Sequence, residues 1–437
     1  MKTTGRIALW GYQALTSALL PVFLVRLAWR SRCQPAYRQN WSERLAFYPS
    51  GRKANRDCIW IHAVSVGETR ACVPLISALK VLWPDKPILM THTTPTGRET
   101  GESLFGDSVS RCYLPYDVPG ALERFLNYFH PDIGLMMETE VWPGVVAACK
   151  NKNLPLCLLS GRLSARSAKG YARFGQLVRD AFAGLSLVCS QTEADAQRFQ
   201  QLGSKHVVVT GNLKFDAPVE PDEISRSQAL RAWLGNKRPI FLAASTREGE
   251  EALILAAWKQ VKAQESQALL VIVPRHPQRF NEVAQMIGDT NLKFARKTEM
   301  SQTIMEGKET PLGKSVKVVL GDTMGEMALW YQAADLAYIG GSLLPLGGQN
   351  LLEACARACP VIIGPHTFNF TQATEEALAS GAAVRVDSPS MLVEVAQDLL
   401  NNPSKRNQMG AAGQAFVKRH QGATQRTLDH IKDFLQY

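Results

Sequence analysis

The chain has 437 residues, 46% of them hydrophobic and 20% charged, enough to bury two ordinary cores and too much for one small domain. Its formal net charge of +10 comes from Lys and Arg spread through the sequence with no basic tail, so a positive surface suited to acidic partners is expected. Zinc-finger spacing, an RNP-type aromatic motif and leucine-zipper heptads are lacking, which argues against nucleic acid and favours anionic lipid or a phosphorylated substrate. Nine cysteines occur without a CxxC, the pattern of reduced, mostly buried thiols. Cys355 and Cys359 fall four apart on an expected helix, but with no His nearby they are weak ground for a metal site.

From Ile7 to Val25 the chain reads IALWGYQALTSALLPVFLV, uncharged, with Lys2 and Arg6 before it and Arg26, Arg30 and Arg32 after it. That length suits a spanning helix of roughly 20 residues, whereas a cleaved signal peptide would be shorter and end at small residues. Residues 1–30 are therefore read as a membrane anchor. The heavier positive charge on the C-terminal side places the body of the protein in the cytoplasm. Pro21 and the polar Gln13, Thr16 and Ser17 weaken a full span, so two arrangements stay open: a crossing helix, or one lying in the interface with its basic flank on anionic headgroups.

A basic, aromatic stretch follows from Tyr37 to Tyr48. Short apolar runs then alternate with amphipathic segments: DCIWIHAV, PILMTHT, DIGLMMET, LPLCLLS and LSLVCS. The rhythm breaks at GNLKFDAPVEPDEIS and restarts with PIFLAAST, ALLVIVPRHP, VKVVLGD, DLAYIGGS and PVIIGP. Strands alternating with helices imply parallel sheets built from βαβ units. The expected class is α/β, with two doubly wound, Rossmann-like domains at residues 31–212 and 237–437 whose sheets face a cleft. Residues 213–236 are read as the linker, and the last helix is a candidate to return to the first domain. Ligands in such folds bind beyond the carboxyl ends of the strands, so the polar residues after each apolar run are the ones to read.

In HAVSVGETR, Gly67 allows close backbone approach and Glu68 opens a helix. A helix N-terminus favours an ionised carboxylate, which can take a proton from a sugar hydroxyl; a plain helix-terminal charge is the competing reading. In METEVWP, Glu138 and Glu140 follow another strand, with Pro143 just inside the next helix. Carboxylates crowded at one sheet edge repel unless they share a proton or meet a cation. Lys214 in GNLKFD could supply a positive charge to a developing negative one, although a lysine at a domain junction is usually just solvated.

The second half has three matching loops. VIVPRHPQRF ends a strand with Arg275 and His276, suited to phosphate, although His276 alone is as well read as a packed histidine. GDTMGEM puts Gly325 and Glu326 at a strand-to-helix turn. GGSLLPLGGQNLLEA runs from a glycine-rich loop into a helix, where backbone N–H groups could cradle a phosphate and Glu353 could accept from ribose hydroxyls. Together these read as a nucleotide site. The G-x-G-x-x-G fingerprint after the first strand, the P-loop, HExxH and G-x-S-x-G are all missing, so hydride transfer and nucleotide hydrolysis lose ground to transfer from an activated nucleotide.

Taken in order, HAVSVGE, METEVWP, GNLKFD, PRHP, GDTMGEM, GGQNLLEA and GPHTFNF resemble the 3-deoxy-D-manno-oct-2-ulosonic acid (Kdo) transferases of lipopolysaccharide synthesis over nearly the whole chain. The resemblance implies a GT-B fold, CMP-Kdo as donor and the lipid A precursor lipid IVA as acceptor. It gives Glu68 the role of general base and Glu138 and Lys214 that of stabilising the transition state. Pro274 and Arg275, Met324, Gly325 and Glu326, and Asn350, Leu351, Leu352 and Glu353 become the CMP-binding elements. No metal cofactor is expected, since CMP has one phosphate and no pyrophosphate to bridge. Ala63 and Gln349 depart from the residues expected of the family, neither at a position expected to do chemistry. A different GT-B enzyme acting on a UDP-sugar, a transferase or an epimerase, is the alternative. Tyr37, Arg38, Trp41, Arg44 and Phe47 are read either as contacts to acyl chains or as ordinary amphipathic packing.

Overall fold

A computed structural model describes residues 3–48, 56–216, 221–260, 267–299 and 311–435. Contacts divide the chain into two units, Met1–Pro218 together with His420–Tyr437, and Val219–Arg419.

The first unit holds seven strands: β1 (Ile59–His62), β2 (Ile88–His92), β3 (Ser110–Tyr113), β4 (Ile133–Met137), β5 (Leu156–Gly161), β6 (Leu187–Ser190) and β7 (Val207–Val209). They lie in the order β3-β2-β1-β4-β5-β6-β7 and pair in parallel throughout. Helices cover both faces, which is why the central strands are buried at every position and mostly apolar. Along β1, Trp60 packs with Phe125 and Phe129 on one face, while Ile59 and Ile61 pack with Leu75, Leu79, Leu428 and Ile431 on the other. Each such side chain contributes about 1.5–3 kcal/mol by leaving water.

The second face of this sheet needs the end of the chain. Helix Ala423–Ile431 is started by Asp216, whose carboxylate accepts from the backbone N–H groups of Gly422 at 2.7 Å and Thr424 at 2.6 Å. Phe215 stacks on His420 with ring centroids 4.8 Å apart.

The second unit repeats the plan with β8 (Ile240–Thr246), β9 (Leu269–Pro274), β10 (Phe294–Arg296), β11 (Val318–Leu320), β12 (Leu336–Ile339), β13 (Val361–Ile363) and β14 (Ala383–Arg385). Their order is β10-β11-β9-β8-β12-β13-β14, again parallel. Phe241, Trp258 and Tyr338 anchor one face of its core. The segment read as a linker, 213–236, is mostly ordered structure: a 3-10 turn at Leu213–Asp216 within the first unit and a helix at Pro221–Leu234 within the second. Pro221 with Asp222 and Glu223 in the first turn starts that helix, a good N-terminal signature, and residues 217–220 lie outside the described residues. Glu223 pairs with Arg357, Nη2 to Oε2 2.7 Å, with both side chains nearly buried.

Strand order reverses between β1 and β4 in the first sheet and between β8 and β12 in the second. These are the positions where open α/β sheets leave a crevice.

Candidate active site

At the first reversal, β1 runs into the loop Ala63–Ser65 and the short helix Val66–Ala71. Ser65 is the N-cap, with its hydroxyl oxygen accepting from the Glu68 N–H at 3.3 Å. The carboxylate of Glu68 in turn accepts from the Ser65 hydroxyl at 2.8 Å and from the Val64 N–H at 2.8 Å. This is a variant of the capping box in which the Val64 N–H stands in for that of the N-cap, legible in the S-x-x-E spacing of Ser65 and Glu68 and absent from the sequence reading above. The loop is held from behind, where Val64 O accepts from Thr94 Oγ1 at 2.7 Å.

The helix terminus does not keep Glu68 fully ionised. Burial, with the charge of Glu138 adding to it, outweighs the hydrogen bonds from Val64 and Ser65 and lifts its carboxyl to about 7. A group poised there is suited to exchange protons near neutral pH.

Across the reversal, β4 ends and Glu138 follows in a left-handed conformation, φ 56°. A non-glycine residue rarely adopts it, and here two backbone bonds impose it: Glu138 N–H to Leu159 O at 2.9 Å, and Arg162 N–H to Glu138 O at 3.2 Å. Its carboxylate is ion-paired with Lys214 Nζ, both largely shielded from solvent. Lys214 is therefore not a solvated linker lysine. The 3-10 turn that carries it is pinned by the Leu213 N–H, which donates to Ser160 Oγ at 3.1 Å, and by the Lys214 N–H, which donates to Asn212 Oδ1 at 3.0 Å. Glu140 accepts from Trp142 Nε1 at 2.7 Å, and burial raises its carboxyl above the usual range. Pro143 occupies the first turn of the next helix.

In the second unit, Pro274 closes β9, and the Arg275 N–H donates to Thr246 O at 2.9 Å. Burial and the neighbouring Arg247, Arg275 and Arg279 hold His276 below the ordinary histidine range. Gly325 takes φ 80°, a turn that suits glycine, just before Glu326 at the head of helix Met327–Ala333. Met324 is exposed. Burial pushes the Glu326 carboxyl up, but Lys297 at 2.8 Å, the Thr323 hydroxyl and Arg226 at 3.1 Å outweigh it and hold the group below the usual range.

The glycine-rich loop follows β12. Gly340 packs so closely that a Cβ there would lie 2.3 Å from Ser245 O. The loop is not an open row of donors: Gly348 N–H bonds Gly341 O at 2.7 Å and Gln349 N–H bonds Gly340 O at 3.0 Å. Asn350 then caps the next turn, its Oδ1 accepting from the Leu352 N–H and its Nδ2 donating to Glu353 Oε1, each at 3.1 Å. Leu351 and Leu352 are buried beneath. The helix there is only Leu352–Ala356, so Cys355 and Cys359 do not share it; both are buried.

Two residues in STREGEE, unread in the sequence, anchor this half. Glu250, fully buried, accepts from Gly341 N–H at 2.6 Å, Arg247 N–H at 3.0 Å, Leu343 N–H at 3.2 Å and the Tyr338 hydroxyl. Glu251, equally buried, accepts from Thr246 at 2.8 Å and pairs with Arg279 at 2.6 Å. Their signal was an acidic pair at the start of the helix after an apolar run. Arg44, by contrast, is turned inward over the Tyr113 ring, 4.0 Å from its centroid, and donates to Thr93 O at 3.0 Å. This is packing and not an acyl-chain contact. Among the described residues no group of three His, Cys, Asp or Glu side chains is arranged to hold a metal ion.

The family described as 3-deoxy-D-manno-octulosonic-acid transferase (kdotransferase) matches residues 39–217, and glycosyl transferases group 1 matches residues 234–416. The 3-deoxy-D-manno-octulosonic acid transferase of Bordetella pertussis is 44% identical over 386 residues, 86% of this chain and 87% of that one. Its counterpart in Haemophilus influenzae is 36% identical over 97% of this chain and 98% of its own. Among solved structures, a putative UDP-N-acetylglucosamine 2-epimerase from Listeria monocytogenes covers 87% of this chain and 97% of its own, with TM-score 0.57 and 16% identity, a likeness of GT-B fold alone. The ordered site motifs and the identity across nearly the full length place this chain in the family of Kdo transferases, glycosyltransferases of lipopolysaccharide synthesis.

Proposed function

We propose that this enzyme moves Kdo from CMP-Kdo to the lipid A precursor lipid IVA with inversion at the anomeric carbon, and that it needs no metal. The observation that carries this reading is the pairing at the first reversal: a carboxyl poised at about 7, Glu68, near a second carboxylate already neutralised by lysine, Glu138 with Lys214. Glu68 takes the proton from the acceptor hydroxyl. That oxygen bonds to the anomeric carbon as the bond from that carbon to the CMP phosphate breaks, and CMP leaves with the electron pair. One base and a stabilised leaving group suffice, with no covalent nucleophile. Glu138 and Lys214 supply fixed charge to the transition state.

In the second unit the donor is held by Pro274 and Arg275, by Met324, Gly325 and Glu326, and by Asn350, Leu351, Leu352 and Glu353. Positive charge suits both the carboxylate of Kdo and the phosphates of donor and acceptor, in keeping with the chain's formal +10. The N-terminal helix, long and apolar enough to cross a membrane over Thr4–Arg32 and uncharged from Ile7 to Val25 with arginines after it, attaches the enzyme to the inner membrane, with both units on the cytoplasmic side.

The test is transfer by the purified chain from CMP-Kdo to lipid IVA in the presence of EDTA, with the product's mass and anomeric configuration read directly. Transfer that stops with EDTA and returns with a divalent cation refutes the metal-free mechanism, and no transfer by folded protein refutes the acceptor assignment. A thermal-shift titration in which UDP and not CMP raises Tm would reassign the donor to a UDP-sugar.

A further inference from the structure

Helix Thr3–Cys33 runs unbroken through Pro21, and one side of it is tied to the first unit along most of its length. Every third or fourth residue from Gly5 to Ser31 is shielded from solvent, the spacing of one helix face. Gly5 lies against helix Gln176–Ala183 so closely that a Cβ would meet the Asp180 carboxylate at 1.9 Å. The Tyr12 hydroxyl donates to Asp117 Oδ2 at 2.5 Å, and the same oxygen accepts from the Gly144 N–H at 3.0 Å. Phe23 stacks on Tyr116 with centroids 5.7 Å apart, and Leu27 and Ser31 are buried. From Gly5 to Phe23 the helix extends roughly 27 Å at 1.5 Å per residue, close to the ~30 Å of a bilayer's hydrocarbon. A crossing helix held this way would drag Asp117, Asp180 and the polar ends of two helices into lipid, where unsatisfied polar groups cost several kcal/mol each.

The opposite side is apolar and open. Ile7, Trp10, Leu15, Val22, Val25 and Trp29 are each 58–70% exposed. The helix has no acidic residue, and exposed Arg6, Arg26, Arg30 and Arg32 border the stripe. Beyond its end, Arg38 and Trp41 line a recess with Trp29 and Arg32. Apolar stripe, tryptophans and an arginine border together fit an anionic lipid surface.

We propose that this helix lies in the plane of the membrane interface, its open stripe sunk about 5–10 Å into the headgroup and acyl boundary, and does not cross the bilayer. The proposal rests on the membrane attachment given above and deepens it. In-plane docking leaves both ends of the helix on the face that carries the enzyme's body; a crossing would put the N-terminus on the other.

The test uses the full chain with an N-terminal epitope tag in sealed, inside-out membrane vesicles treated with an impermeant protease. Removal of the tag is expected, and a tag protected until detergent is added overturns the proposal. In parallel, the purified chain is floated with vesicles containing phosphatidylglycerol. Wild type is expected to float, and the doubly substituted Leu15→Glu/Val22→Glu chain to lose at least tenfold in bound fraction while keeping its circular dichroism. A wild type that fails to float ends the attachment reading itself. A wild type that floats undiminished by the double substitution, or a stripe that instead drives self-association, overturns the in-plane assignment.

Discussion

Lys214 closes an ion pair onto Glu138, so the two acidic residues at the first sheet's reversal, Glu68 and Glu138, are not in the same electrostatic state. Glu138 has a cation of its own. Glu68 has two hydrogen-bond donors but no lysine or arginine paired with it among the described residues, and burial together with the Glu138 charge lifts its carboxyl to about 7. A carboxylate held by its own cation beside one lifted by burial is how one site separates a fixed charge from a proton acceptor.

The pH dependence follows directly. A base must be ionised to act, so kcat is expected to rise with pH along a limb centred near 7 and level off above it. Glu138→Gln removes the neighbouring negative charge that raises Glu68, and should move that limb to lower pH. Lys214→Met leaves Glu138 without its lysine, and should move the limb higher while lowering kcat by about 10²–10³, the scale for losing a transition-state contact. A pH profile unmoved by both substitutions would remove Glu68 as the titrating base.

Glu68→Gln should cost about 10²–10⁴ in kcat, the usual worth of a general base, with little change in CMP affinity. The fold should survive, because glutamine also serves at that position of a capping box. The sign of the stability effect is set by linkage. A carboxyl raised in the fold contributes stability that is full below its unfolded value, about 4.3, and is lost as pH rises through about 7. The Tm of Glu68→Gln relative to wild type should therefore be higher at pH 8 than at pH 4. Scanning calorimetry at the two pH values reads this directly.

What the sequence made legible divides along physical lines. The ten apolar runs correspond to the inner strands of the two sheets, buried on both faces. The four strands they miss, β3, β7, β10 and β14, are the four sheet edges, where burial is partial and runs such as SRCY and FAR carry little apolar signal. At the site, Glu68 and Glu138 could be found because they follow strong strands, whereas the Glu138–Lys214 pair joins residues 76 apart and no local pattern announces it. Glu250 was missed for a related reason: its partners Tyr338, Gly341 and Leu343 lie about 90 residues away. Nor does any local pattern announce that the glycine-rich loop spends its Gly348 and Gln349 N–H groups on itself.

That buried Glu250 gives a stability prediction in the second unit. Glu250→Ala leaves the Arg247 and Gly341 N–H groups and the Tyr338 hydroxyl proton without their carboxylate acceptor, while the Leu343 N–H keeps its bond to the Tyr338 oxygen at 3.0 Å. Each unsatisfied group costs about 1–3 kcal/mol, less where water enters the space, so a net loss of about 3–5 kcal/mol is expected. The glycine-rich loop is what those bonds hold, so KM for the donor should rise more than kcat falls. A denaturant titration paired with steady-state kinetics separates the two effects.

Asp216 links the end of the chain to the lysine. Its carboxylate caps helix Ala423–Ile431 through Gly422 and Thr424, while its own 3-10 turn presents Lys214 to Glu138. Removing a capping carboxylate costs about 0.5–2 kcal/mol, so Asp216→Ala should lower stability by that amount and loosen the turn. Asp216→Asn keeps one acceptor oxygen and should recover part of both losses. If the turn matters only for folding, Asp216→Ala will lower Tm without touching the pH limb of kcat. If it positions Lys214, the limb will move upward as in Lys214→Met, because Glu138 then faces Glu68 less well neutralised. The second outcome is expected, since Leu213, Lys214 and Asp216 share one turn, and its further fastenings, Leu213 N–H to Ser160 Oγ at 3.1 Å, Lys214 N–H to Asn212 at 3.0 Å and Phe215 stacked on His420, act at other residues than the capping carboxylate.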